Sequence, residues 1–468
     1  MTITAANIDA RPALRRPRTM PLWLVYVPLI AALALRLASG PTANASYLLL
    51  AAYALLGRAH AIRALAFSWL FSMINPGLAP EATAAAVGRY AVLFAAAGSA
   101  MLHAGFIIRN TRVRPFTQFT LVLGAFIIGH SLMFSPMADV SVLKGLSWTL
   151  AMATLVSAWV GLSETQREAL ARELFWFLVV ILLVSLPLAV TSVGYLRNAR
   201  GLQGILNHPQ AFGPTMALLC AWATARMLGE ARPPWWLLGV IGASLAAILM
   251  SEARTAGLAM VLAVGLAVLL GPGLAGRRIG QVVVGLKSAR VWTVIVCVSL
   301  AALAMAPLIA SKFDHYITKS GRYQVGGLAE AYERSRGRLM DAMLVNIAEH
   351  PLTGIGFGIA SEPWAMNISR DPVLGLPVGA SIEKGVTPLM VVEELGVFGA
   401  LLVGSWIVRL LRGSARSGLA PLAVCFVALL LNLGEATLFS PSGIGLLSLI
   451  LLGWAYASGQ PKLTHRHG

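Results

Sequence analysis

Charge is scarce in this chain: Asp, Glu, Lys and Arg make up 12% of its 468 residues, while hydrophobic types make up 57%. Soluble proteins are roughly 45–50% apolar, so a single soluble domain is excluded. Cysteine is nearly absent, and Cys220, Cys297 and Cys425 all lie inside apolar blocks. That excludes a disulfide framework and any CxxC metal site. Acidic residues are the rarer sign, 19 against 36 Lys and Arg. None of the carboxylates at Asp314, Glu333, Asp341, Glu349, Glu362, Asp371 or Glu383 is spaced as a DxD or HxxxE set, so neither a metal nor another cofactor is expected. No aromatic-basic motif accompanies the net charge of +17, which argues against nucleic acid. No repeat of fixed period is visible, and no small-residue cleavage pattern follows the first apolar block.

What the chain does have is apolar blocks. A membrane-spanning helix needs about 20 such residues, and candidates stand at 22–37, 47–56, 64–74, 90–108, 119–134, 146–162, 175–193, 212–227, 235–250, 256–270, 291–309, 386–410, 419–438 and 444–457. The second and third are short enough to be a helical hairpin. The expected fold is therefore an all-α polytopic membrane protein of about 12–14 transmembrane helices. Its parts are a basic N-terminus (1–21), helices over 22–310, a long loop over 311–385, helices over 386–457 and a C-terminal tail over 458–468.

Lys and Arg collect on the cytoplasmic side of membrane proteins. Threading the blocks with the N-terminus inside places Arg58/Arg63, Arg109/Arg112/Arg114, Arg167/Arg172, Arg226/Arg232, Arg277/Arg278/Lys287/Arg290, Arg409/Arg412/Arg416 and Lys462/Arg466 in the cytoplasm. Both termini are then cytoplasmic, and 194–210, 250–257 and the long loop face outward.

Arginines in short outer segments run against that bias. Arg197 and Arg200, and above all Arg254 in "SEAR" between two blocks, are candidates for function, since ionisable groups near membrane depth are functional by default. Arg36, Arg89 and Lys144 are expected to reach lipid headgroups instead. In the long loop, 335–349 reads as a helix with Leu339, Ala342, Met343 and Ile347 on one stripe and Arg334, Arg338 and Asp341 on another, stopped by "HPLTG". Arg334, Arg336 and Arg338 add three cations there. A guanidinium matches phosphate oxygens bidentately, so a lipid-borne polyanion is the natural ligand. In "NHPQAFG", His208 precedes Pro209 at a helix start, where anions bind; capping or packing is its alternative role. Glu383 stands just before the span at 386, with Lys384 beside it to pair with that carboxylate or with phosphate.

"NHPQAFG", "SEARTAG", "SRGRLMDAMLVNIAEHPLTGIGFG" and "EELGVFG" together resemble, in order and spacing, the O-antigen ligase and O-antigen polymerase superfamily, whose members carry NPN, SRT, Arg-helix-PLxGxG and ExGxxG blocks. The resemblance covers 197–399. It implies a GT-C-like glycosyltransferase of the bacterial inner membrane with a large periplasmic loop, moving a glycan from undecaprenyl pyrophosphate to an acceptor hydroxyl without metal. By that resemblance Arg200, Arg254 and Arg336 or Arg338 hold the pyrophosphate. The partners implied are the lipid-linked oligosaccharide, a glycan or lipid-linked acceptor, membrane lipids and other polysaccharide-assembly proteins. Many ligases carry a His-Asn pair about nine residues before the Glu of ExGxxG. Here Gly385 and Val386 stand before Glu394 at that distance, which favours a polymerase over a lipid A core ligase. The ordered candidates for general base are Glu383 and then His208. The alternative function is a transporter or flippase of lipid-linked glycan, which requires functional charge buried near mid-membrane.

Overall fold

Lipid offers the backbone no hydrogen-bond partner, so a chain this apolar must satisfy its amides internally. The computed structural model describes residues 22–104, 114–197, 199–304, 328–370, 375, 377–380 and 384–459. The described residues are mostly helical: α1 (Leu22–Ala38), α2 (Gly40–Ala54), α3 (Arg58–Met73), α4 (Ala85–Ala104), α5 (Arg114–Phe134), α6 (Ala138–Val160), α7 (Glu164–Ser185), α8 (Pro209–Gly229), α9 (Trp236–Met250), α10 (Arg254–Ala275), the single turn α11 (Ile279–Val282), α12 (Ala289–Ala304), α13 (Leu328–Glu349), α14 (Thr387–Arg416), α15 (Leu419–Leu430) and α16 (Gly443–Ser458). A small antiparallel pair, β1 (Ile368–Arg370) with β2 (Pro377–Ala380), lies in the long loop.

Among the described residues, six segments are long and apolar enough to cross a membrane: Ala85–His103, Pro115–Phe134, Ala138–Val160, Glu164–Val190, Arg254–Ala275 and Thr387–Arg416. The chain is an all-α multi-pass membrane protein. Over the described residues each apolar block of the sequence falls on one helix, and the differences lie at the ends; 105–108 and 305–309 of two blocks lie outside the described residues. The block at 175–193 belongs to a helix that starts earlier, at Glu164, because Ser163 and Gln166 form a capping box. It stops before Pro187, which opens a 3₁₀ turn. The block at 419–438 ends as a helix at Leu430, because the side chain of Asn432 accepts from the Thr437 and Leu438 amides and turns the chain.

α8 forms the centre, buried along most of its length, with α15, α9 and α10 packed against it. Tryptophans join the layers. Trp148 donates to the Leu438 carbonyl, Trp159 to Ile450, and Trp222 stacks on Trp454 at 4.1 Å.

Among the described residues, three of the arginines threaded to the cytoplasm, Arg58, Arg63 and Arg167, tie helix ends together at one end of the bundle. Arg58 donates to the carbonyls of Gly161 and His103, Arg167 to that of Ala457, and Arg63 makes a two-point pair with Glu173 at 2.7 and 2.9 Å. The helix starts of α8, α10 and α14 share the other end, together with 73–79 and 431–438. Two cations expected at lipid headgroups are turned inward instead. Arg36 is buried, donating to Phe71 O at 3.1 Å and Pro80 O at 2.6 Å. Lys144 donates to Gly358 O at 2.7 Å and Ala380 O at 3.1 Å. Both carry long stems, and both reach backbone carbonyls, Arg36 at the end of α3 and in the turn after it, Lys144 in the long loop.

Candidate functional site

The site is built where two long helices begin. Pro209 at the first position of α8 lacks only an amide that would have no helical partner. His208 before it accepts the Gln210 amide on Nδ1 at 3.0 Å and so caps the helix. α10 begins at Arg254 behind Ala253, which supplies no side-chain cap. The two starts touch: a Cβ on Gly213 would lie 2.4 Å from Ala253 Cβ and 2.6 Å from Ser251 Oγ. The Arg200 segment is laid across both. The Leu202 amide donates to Met250 O at 2.8 Å, and a Cβ on Gly201 would meet Ser251 O at 2.8 Å and Pro209 at 3.1 Å. Below it, Asn75 ties Val193 O and Gly204 O at 2.9 and 2.8 Å.

Helix N-termini carry a partial positive charge and favour acidic residues. Arg254, in the first turn of a 22-residue helix, is placed against that field and beside a second helix start. An anion at this end meets the dipoles of two helices as well as guanidinium groups. Backbone strain marks the same spot. Among the described residues the non-glycine positions with positive φ are Ala199 (58°) and Glu252 (54°), each within two residues of one of these arginines. Such conformations cost on the order of 1–3 kcal/mol and gather at functional sites. A shallow cavity of about 570 Å³, lined by Val190, Tyr195, Leu196 and Ala199 among others, opens beside them.

Burial, reinforced by the nearby charge of Arg197, lowers the His208 pKa below the usual imidazole value. The ring is therefore neutral at physiological pH, and the cap bond to Nδ1 assigns its proton to Nε2. Nε2–H is a donor that an anion can accept from. Because the folded pKa is depressed, the cap is intact above the ordinary histidine pKa and is lost as pH falls through the lowered value. His208→Ala should lower unfolding stability by about 1 kcal/mol, while His208→Asn should retain most of it. Thermal unfolding of the detergent-purified variants measures both, and equal melting temperatures for wild type and His208→Ala would remove the cap.

The sequence singled out Lys384 as a partner of Glu383 or of phosphate. It is 2% exposed, with Nζ 2.6 Å from Glu393 and 2.9 Å from Glu394, which are 0% and 1% exposed. This ionic group sits where α14 breaks. Gly396 adopts φ 65°, ψ −174° inside the helix, and the loop strand 351–358 fills the gap. The amides of Ile355 and Gly356 donate to the carbonyls of Glu393 and Glu394 at 2.9 and 3.0 Å, and the Val397 amide to Pro351 O at 3.0 Å. Gly358 N donates to Glu394 Oε2 at 2.7 Å, and Asn346 Nδ2 to Glu393 Oε1 at 2.7 Å. "PLTGIGFG" and "EELGVFG" are thus two halves of one joint. Thr387, in the first turn of α14, donates to Asn432 Oδ1 at 3.0 Å, and Gly434 packs on Thr255 beside Arg254. The joint is so connected to the cationic end.

α13 runs from Leu328, longer than the sequence suggested, with Met343 buried and Asp341 exposed as the stripe requires. Arg197 and Arg200 are exposed and Arg254 is half-buried. Glu383 and the side chains of Arg334, Arg336 and Arg338 lie outside the described residues. Sequence reasoning missed Asn432, Glu393 and Glu394 as organisers. The adjacent carboxylates in an apolar block were the available signal. Compared with known proteins, the chain matches no family model and no curated sequence.

Proposed function

We propose that this chain is a glycosyltransferase that moves a glycan from undecaprenyl pyrophosphate to an acceptor hydroxyl at the periplasmic face, in O-antigen or exopolysaccharide assembly, with polymerase favoured over ligase. The observation that carries this reading is the meeting of two helix N-termini, at His208 and at Arg254, under a segment bearing Arg197 and Arg200. That geometry suits a diphosphate. The apolar cavity beside it suits the first isoprene units of a lipid carrier. In the reaction the acceptor oxygen bonds to the anomeric carbon as the bond from that carbon to pyrophosphate breaks. Glu383 takes the hydroxyl proton, and Arg200, Arg254, Arg336 and Arg338 neutralise the negative charge gathering on the leaving group. His208, already capping α8, adds a donor to the same anion and leaves the base role to Glu383.

Deleting the gene and examining the surface glycan tests this. Single-repeat products indicate a polymerase, accumulated lipid-linked polymer indicates a ligase, and unchanged glycan defeats both. One observation favours a transporter as second reading: a broken helix with buried charge at Lys384, Glu393 and Glu394, as in many transporters. Against it, the backbone groups freed by the break are taken up by 351–356 and are not open to a cargo ion. Movement of lipid-linked glycan across protein-containing vesicles without transfer would favour the second reading.

A further inference from the structure

The charges at the break of α14 are buried, and each of them reaches the long loop. Glu394 holds Gly358 N, and Glu393 holds Asn346, whose amide also donates to Ser361 O at 2.9 Å. These contacts fasten 346–361, inside the long loop. Lys384, at the end of the loop, is paired to the same two carboxylates. Lys144, from α6, repeats the pattern with one ammonium on Gly358 O and Ala380 O. Two lysines and two glutamates therefore bridge 346–361 and 380–384.

The geometry points to a positioning role for Lys384: with Glu393, Glu394 and Lys144 it forms a clasp that holds 346–361 and the end of the long loop on the broken helix and fixes the cationic end through Thr387, Asn432 and Thr255. The chemistry fits a clasp better than an anion site. An ammonium at 2.6 and 2.9 Å from two carboxylates is already neutralised, and phosphate oxygens at that place would meet carboxylate repulsion. Removing one member of a buried ionic group leaves an orphan charge and is strongly destabilising, whereas replacing a pair together by apolar residues is often neutral. That asymmetry lets the clasp be opened without losing the protein. The consequence for turnover rests on the transferase reading; the clasp itself does not.

The test uses Ile359→Cys, a fully buried loop position next to Gly358, as a reporter for a bulky maleimide on the detergent-purified full-length chain. Cys297→Ser removes background, and Cys220 and Cys425 are buried. Lys384→Met should speed labelling at least about 10-fold, the signature of an opened local structure. If that variant does not accumulate, Lys384→Met/Glu393→Met removes a neutral pair and should accumulate while labelling equally fast. Labelling at the parent rate in the accumulating variant overturns the clasp. In transfer assays the same variant should lose at least about 10-fold in kcat with donor KM nearly unchanged, because Lys384 does not touch the donor. A raised KM with kcat intact would make Lys384 a pyrophosphate ligand, and faster labelling with unaltered kinetics would reduce the clasp to packing; either overturns the positioning role. If the parent itself transfers no glycan, the transferase reading fails and the labelling rates still decide the clasp.

Discussion

Gly396→Ala should abolish accumulation of the folded protein, whereas Gly404→Ala in the same helix should leave it unchanged or slightly more stable. Gly396 occupies a region of backbone space that is open almost solely to glycine, with φ 65° and ψ −174°. A side chain there incurs strain on the order of 1–3 kcal/mol. A Cβ would also lie 2.0 Å from Leu352 O and 2.4 Å from Leu352 C. Those are backbone atoms of the inserted strand, so no rotamer change relieves the overlap. The strand would have to leave, taking with it the bonds from Ile355, Gly356 and Gly358. Glu393 and Glu394 would then lose loop partners inside a spanning helix. At Gly404 a methyl group would meet nothing within 4 Å, and the neighbours are helical, so alanine there gains helix propensity of about 1 kcal/mol. Fluorescence-detected size exclusion of tagged variants reads the difference; a monodisperse peak at wild-type height for Gly396→Ala would show that the break is dispensable.

The helical pattern was legible because apolar runs have few alternatives in lipid. Elsewhere, long-range contacts decide the outcome. Gly396 looks like an ordinary glycine in an apolar run; only the strand at 351–356 explains why the helix opens there. Lys384 stands nine and ten positions from Glu393 and Glu394 in the chain, a spacing that no helix or strand period brings together. A turn through Gly385, at φ 68°, does so. The strained residues Ala199 and Glu252 carry no local signature, since neither type favours positive φ. Their conformations come from packing at the junction of α8 and α10. Arg36 and Lys144 were misplaced for a related reason: sequence shows how near a cation lies to the membrane surface, but not which carbonyls the fold brings within its reach.

Arg254→Ala should reduce transfer by 10²-fold or more while the protein still inserts and remains monodisperse. Losing one donor to the charge that develops on the leaving group is worth about 3 kcal/mol, close to that factor. A positive residue in the first turn of α10 opposes the helix dipole by on the order of 0.3–1 kcal/mol, so the helix itself gives no reason for a cation there. Lost activity with preserved or raised stability is the signature of a residue kept for its ligand. Arg254→Lys separates charge from shape. Lysine keeps the point charge but not the planar fork, so an intermediate loss is expected if a diphosphate is gripped in two places. Initial rates on purified lipid-linked glycan, paired with melting temperatures for the same preparations, give both quantities. Retained transfer in Arg254→Ala would move the anion site away from the start of α10, and a parallel fall in stability and activity would make Arg254 structural.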